Sequence, residues 1–174
     1  YVPVDHLFGA SILAKYINEK NMEDVIVVSP DLGGVTRARD LADRIGAPIA
    51  IIEKKRPEPG VAKVMNLIGD VAGKNCIIID DIVDTAGSLV EGAKALEEFG
   101  AKSVTAAVTH AVLTDPASER IANSNIKELI VTNTIPLPEN CNLPNITQLS
   151  VAPLLGEAII RIFHEVSVSN LFDK

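Results

Sequence analysis

Asp80, Asp81 and Asp84 fall within five residues, directly behind the apolar triplet Ile77-Ile78-Ile79. Thr85-Ala86-Gly87-Ser88 follows, and the chain then carries Leu89, Ala93 and Leu96 at helical spacing. The residue types divide the chemistry between them. Small residues at the entry of a helix let successive backbone N–H groups converge, and the helix dipole adds positive potential. Asp84 to Ser88 can therefore cradle a phosphate without a lysine. The pair Asp80-Asp81 is wrong for phosphate but right for its neighbours. It can accept hydrogen bonds from the two vicinal hydroxyls of a ribose, directly or through magnesium. A ligand with a phosphate at one end and a diol at the other is a sugar phosphate.

Ordinary readings stand beside this one. Ser88 and Glu91 match the capping box S-x-x-E, so Ser88 could be only a cap. Aspartates after a strand are common turn residues. An apolar run ending in Asp-Asp also resembles the magnesium-binding strand of P-loop proteins, which needs G-x-x-x-x-G-K-[ST] elsewhere. Gly69 to Asn75 has one residue too few between its glycines and Asn75 where Ser or Thr belongs. No G-x-G-x-x-G occurs. His110 follows a strand and reads as a structural histidine with no assigned role.

The elements that must hold these residues alternate. Apolar runs at Asp24 to Ser29, Pro48 to Ile52, Asn75 to Ile79, Ser103 to His110 and Lys127 to Asn133 read as strands. Val35 to Ile45 carries Ala38, Leu41, Ala42 and Ile45 at helical spacing and stops at Gly46. Leu89, Ala93 and Leu96 mark a second helix closed by Gly100, and Pro116 to Ala122 a short one. Leu154, Leu155, Ala158, Ile159, Ile162 and Phe163 form the stripe of a final helix. Strands buried on both faces, alternating with helices, predict an α/β fold: a parallel sheet with helices on both faces. In such sheets ligands bind at the carboxyl ends of the strands. Three loops fall at such ends: Ser29 to Gly34, Glu53 to Gly60 and Asp80 to Ser88.

A length of 174 residues suits one domain, residues 1–174, with a full core. Hydrophobic residues make up 47%, charged residues 22%, and Trp is absent, so that core must be aliphatic. A net charge of −7 argues against nonspecific nucleic-acid binding. No apolar run approaches the length of a membrane span, and no signal peptide is visible. Cys76 and Cys141 form no disulfide framework; Cys76 inside an apolar run suits a reduced thiol and a cytoplasmic location. The chain begins at Tyr1 and not at Met, which fits a piece of something larger.

The stretch IIIDDIVDTAGS resembles the ribose-phosphate loop of the type I phosphoribosyltransferase fold. VVSPDLGGVTRARDLADRIGAPIAIIEKKRP, THAVLTDPASERI and QLSVAPLLGEAIIRIFHEVSVSNLF resemble, in order, the C-terminal half of the bacterial ribose-phosphate pyrophosphokinase family. That resemblance implies an enzyme joining ATP and ribose 5-phosphate to give phosphoribosyl pyrophosphate and AMP, with magnesium as cofactor. Asp80, Asp81, Asp84, Thr85, Ala86, Gly87 and Ser88 would bind ribose 5-phosphate, with Ser88 where the family usually has Thr. Asp31, Leu32, Gly33 and Gly34 would form the pyrophosphate loop, Asp31 as a magnesium ligand and Leu32 through its backbone alone. Lys54 and Arg56 would be the catalytic basic pair, although composition alone favours a solvated loop there. Ser167, Ser169 and Phe172 would help form an intersubunit site for phosphate or ADP as effectors, and Asp5 and His6 lie where other members contribute to that same interface. The resemblance further implies a homo-oligomer of the hexamer-of-dimers type, and a chain inactive without the N-terminal half. A phosphoribosyltransferase of the same fold and a non-catalytic assembly subunit are the alternatives. The basic loop and the SVSNLF ending count against the first, and the intact acidic and basic residues against the second.

Overall fold

The computed structural model describes residues 2–55, 64–141 and 143–172. Its elements, in chain order, are α1 (Ala10–Glu19), β1 (Val25–Ser29), α2 (Val35–Ile45), β2 (Ile49–Lys55), β3 (Val64–Ile68), β4 (Asn75–Val83), α3 (Gly87–Glu98), β5 (Ser103–Ala111), α4 (Ala117–Ala122), β6 (Ile126–Thr132), β7 (Ile146–Leu149) and α5 (Ala152–Phe163). A single 3-10 turn, Ser169–Leu171, follows. The strands form one sheet in the order β3-β2-β1-β4-β5-β6-β7.

Alternation along the strands explains the layers. Val27, Ile77, Ile79, Ala107 and Ile130 point to one face and pack under α1 and α2 through Leu13, Ile17, Ala38 and Leu41. Their neighbours Ile26, Val28, Ile78, Ala106 and Leu129 point to the other face and meet Leu89, Ala93 and Leu96 of α3 and Ile121 of α4. A strand buried on both sides must be apolar throughout, which is why Ile77-Ile78-Ile79 shows no polar alternation. Gly92 lets α3 lie close on the sheet: a Cβ there would stand 3.4 Å from Ile52 Cδ1. Gly46 ends α2 at φ 67°, a left-handed position, with the Ala47 N–H donating back to Ala42 O.

Several expectations need correction. The sheet is not wholly parallel, because β3 runs antiparallel to β2, with Ile52 opposite Leu67. Lys54 and Lys55 were expected in a loop but extend β2 as strand; the rest of that loop, Arg56 to Gly60, lies outside the described residues. Cross-strand pairing with β3 offers their backbone a ladder that the charged composition did not advertise. Asp80 and Asp81 likewise sit within β4, which runs on to Val83 beside β5. The α5 stripe is uncovered: only Ala158 is buried, while Ile159 is 66% and Phe163 80% exposed. Among the described residues, no helix is long and apolar enough to cross a membrane.

Candidate functional site

From β1 the chain runs through α2 to β2 on one side, and from β4, on the other side of β1, it runs through α3 to β5 in the opposite direction. Where neighbouring strands send their connections to opposite sides, a crevice opens beyond their carboxyl ends. The loops at residues 30–34 and 84–88 border this crevice, and Lys54 lies one strand over, near the end of β2.

The first loop is organised by its own side chains. Ser29 Oγ donates to Asp31 O at 2.7 Å, and the Gly34 N–H donates to Asp31 Oδ1 at 2.9 Å. Gly34 is buried because nothing larger fits: an added Cβ would meet Ser29 Oγ at 2.8 Å. Asp31 and Gly33 are exposed, and Leu32 is 59% exposed.

The second loop begins where β4 ends. Thr114 Oγ1 donates a short hydrogen bond to Asp84 Oδ1. Ala86 is buried at φ 59°, a left-handed turn that starts α3 at Gly87. The first helical N–H groups, Gly87, Ser88 and Leu89, have no intrahelical acceptor and converge at the positive end of the helix. The cap position falls at Ala86 and Ser88 lies inside the helix, so Ser88 is not the cap that the capping-box reading made it. From α4, Arg120 Nη1 donates to Thr85 O at 2.9 Å, and a Cβ on Gly87 would come 3.5 Å from it. The arrangement is a compact nest of donors beside a guanidinium, suited to a phosphate.

The acidic pair carries a partner that the sequence reading missed. Arg37, in the first turn of α2, donates from Nη1 to Asp80 Oδ1 at 2.9 Å and from Nη2 to Asp81 Oδ2 at 2.6 Å. Burial pushes the Asp80 carboxyl up, while the Asp81 N–H and the Arg37 charge oppose that shift. Arg37 lies 43 residues from Asp80, so no local spacing marks the pair; only its position three residues after Gly34 hints at it.

Other candidates fall elsewhere. His110 Nδ1 lies 2.8 Å from Thr134 Oγ1, in keeping with a structural role. Ser167 Oγ and Ser169 Oγ are 2.9 Å apart, and Arg161 Nη1 donates to Ser167 O at 3.1 Å. Phe172 meets Phe8 edge-on at 6.3 Å, and Phe8 stacks at 5.2 Å on His6, so both ends of the described chain meet. The side chain of Lys54 and all of Arg56 lie outside the described residues. A concavity of about 690 Å³ opens instead at the amino ends of β4 to β7, lined by Asn75, Ser103, Glu128 and Thr147. It gathers no convergent chemistry, since Glu128 already accepts from Lys20, Tyr16 and Thr147.

Residues 53–173 match the family model described as the phosphoribosyl synthetase-associated domain. The chain belongs to this family. It is 60% identical over 172 residues to a protein of Bacillus caldolyticus named ribose-phosphate pyrophosphokinase, covering 99% of this chain and 55% of that one. A Bacillus subtilis protein of the same name is 60% identical over 171 residues, covering 98% and 54%. The chain thus spans about half the length of the curated relatives it matches. Its fold resembles the crystal structure of phosphoribosylpyrophosphate synthetase from Mycobacterium smegmatis, with a TM-score of 0.86 and 44% identity over 94% of this chain and 53% of that one. It also resembles purine phosphoribosyltransferase from Pyrococcus horikoshii, with a TM-score of 0.50 and 27% identity over 61% of this chain and 72% of that one. The expected phosphoribosyltransferase-like α/β architecture is borne out by these likenesses and by the sheet order.

Proposed function

We propose that the chain is part of a ribose-phosphate diphosphokinase and supplies its ribose 5-phosphate site and the loop for the donor phosphates. The observation that carries this reading is the crevice between β1 and β4. A donor nest, an acidic pair and a glycine loop border it together. The nest of residues 84–88 takes the 5-phosphate. Asp80 and Asp81 accept from the vicinal hydroxyls. Asp31 to Gly34 receives the phosphates of ATP. The anomeric oxygen then bonds to the β-phosphorus as the bond from that phosphorus to the oxygen bridging the α-phosphorus breaks, and AMP leaves with that oxygen. Such transfer depends on alignment and charge neutralisation rather than on covalent help from the protein. Lys54 and Arg56 supply positive charge to the transferring group.

The residues fit magnesium as an ion shared with substrate. Among the described residues, no group of three or more His, Cys, Asp or Glu gathers to hold a metal by itself. Magnesium commonly takes one or two carboxylates and completes its shell with waters and substrate phosphates. Asp31 is exposed on a loop of that kind and spends Oδ1 on the Gly34 N–H. When bound, the ion would neutralise phosphate charge. The resemblance extends the proposal to a cytoplasmic homo-oligomer, with phosphate or ADP as effectors at Ser167, Ser169 and Phe172.

Calorimetric titration of the chain with ribose 5-phosphate tests the reading. The expected result is saturable binding that the double variant Asp84→Ala, Gly87→Val weakens by at least about tenfold. Equal binding by both proteins would overturn it. A phosphoribosyltransferase would bind the same sugar phosphate. Ribose 5-phosphate-dependent release of AMP, tested in a protein of the relatives' full length, separates the two.

A further inference from the structure

Two adjacent carboxylates in a half-buried crevice repel each other, and a ribose diol is neutral and cannot offset that repulsion. The structure places a fixed cation against them. Arg37 is held at both ends of its reach. Its backbone belongs to the first turn of α2, immediately after the glycine loop. Its guanidinium crosses the crevice to β4, where one nitrogen serves each aspartate. The planar fork matches two carboxylates in a way a lysine cannot. Gly34 lies beside this path, at ordinary contact distance: a Cβ there would stand 3.5 Å from Arg37 Nη1. The oxygens used are Asp80 Oδ1, which also accepts from the Asp81 N–H, and Asp81 Oδ2. Among the described residues no hydrogen bond falls on Asp80 Oδ2 or Asp81 Oδ1, the acceptors left for hydroxyls.

We infer that Arg37 is the resident counter-charge of the acidic pair, a positioning residue that presents Asp80 and Asp81 to the ribose diol without a divalent cation of their own. The inference rests on the sugar-phosphate reading above and deepens it. It separates two roles for positive charge at one crevice. Arg37 serves the acceptor sugar, and any magnesium serves the phosphates. It also ties the two halves of the site, because α2 begins at the loop that Asp31 organises.

The consequence is a metal dependence that appears only when Arg37 is removed. Ribose 5-phosphate is titrated into the wild-type chain, Arg37→Gln and Arg37→Lys, each in EDTA and in millimolar magnesium. Circular dichroism and melting temperature establish that each variant is folded. The wild-type affinity should change by less than about threefold on adding magnesium. Arg37→Gln should lose at least about tenfold in EDTA and recover most of it with magnesium, because a cation can restore the missing charge. Arg37→Lys should fall between, keeping the charge and losing the fork. Equal affinity of wild type and Arg37→Gln in EDTA would overturn the inference. A loss in Arg37→Gln that magnesium leaves untouched would also overturn it and reduce Arg37 to a structural link. Failure of the wild type to bind in either condition would sink the sugar-phosphate reading itself, without recourse to any variant.

Discussion

At the start of α3, Arg120 reaches over from α4 and holds Thr85 O, passing Gly87 at ordinary contact distance. A peptide carbonyl and the following N–H point in opposite directions, so fixing Thr85 O also fixes the Ala86 N–H. Arg120→Ala should weaken ribose 5-phosphate binding by about 0.5–1.5 kcal/mol, read by calorimetry. The melting temperature should scarcely move, because Arg120 is exposed. Lys54 and Arg56 make a different prediction, tested in a protein of the relatives' full length. In the proposed role their charge is needed most when the transferring group is in flight, so either alanine variant should raise the barrier to kcat by about 2–4 kcal/mol and leave the KM values nearly unchanged. Steady-state kinetics reads the split. A raised KM with intact kcat would make either residue a ground-state binder instead.

At the scale of elements, α3 does two jobs. Its first turn faces the crevice, and its buried side anchors the sheet through Leu89, Ala93 and Leu96. Leu96 is fully buried, and Leu96→Ala should cost about 2–5 kcal/mol, measured by urea unfolding. On the other face, α1 is fastened to β6 and β7 by one carboxylate. Glu128 Oε1 accepts from Tyr16 Oη at 2.8 Å and from Thr147 Oγ1 at 2.8 Å, and its Oε2 lies 2.7 Å from Lys20 Nζ. Burial pushes Glu128 up, but these donors outweigh it and leave the carboxyl below its ordinary value of 4.5. The folded value is the depressed one, so this cluster adds stability above 4.5 and loses it as pH falls through the lower folded value. Urea midpoints on either side of pH 4.5 should therefore decline on the acid side in wild type. Glu128→Gln should flatten that decline.

The whole molecule places its chemistry at one end of a sheet whose strand order reverses between β1 and β4. The relatives named ribose-phosphate pyrophosphokinase are nearly twice as long as the part this chain matches. Transfer needs both substrates aligned on one set of charges. The proposed roles give the crevice places for the sugar phosphate and the donor phosphates and assign no residue to adenine. The 174-residue chain should therefore bind ribose 5-phosphate and release no AMP from ATP. Adding the remaining half of a relative, fused or in trans, should restore release. Ribose-dependent AMP formation by the chain alone at about one per second or faster would show a complete donor site.

Much of the fold was legible along the chain because helix stripes and strand-to-helix turns are local. Asp84 to Ser88 needs only small residues and a helix behind it, and the periodicity of Val35 to Ile45 states its helix to the residue. The mostly parallel architecture followed from apolar runs with no polar alternation. Pairings across the fold left no such mark. The path of β4 through Asp80 and Asp81 depends on β5 beside it, and the antiparallel turn of β3 depends on the edge that β2 offers. Arg37 and Arg120 reach their partners across 43 and 35 residues of chain, distances that only packing closes. Periodicity marked the apolar stripe of α5 but could not say that its side chains stay uncovered. Hydrophobic spacing reports which residues share a face. Which charge meets which is decided when the sheet brings the ends of β1 and β4 together.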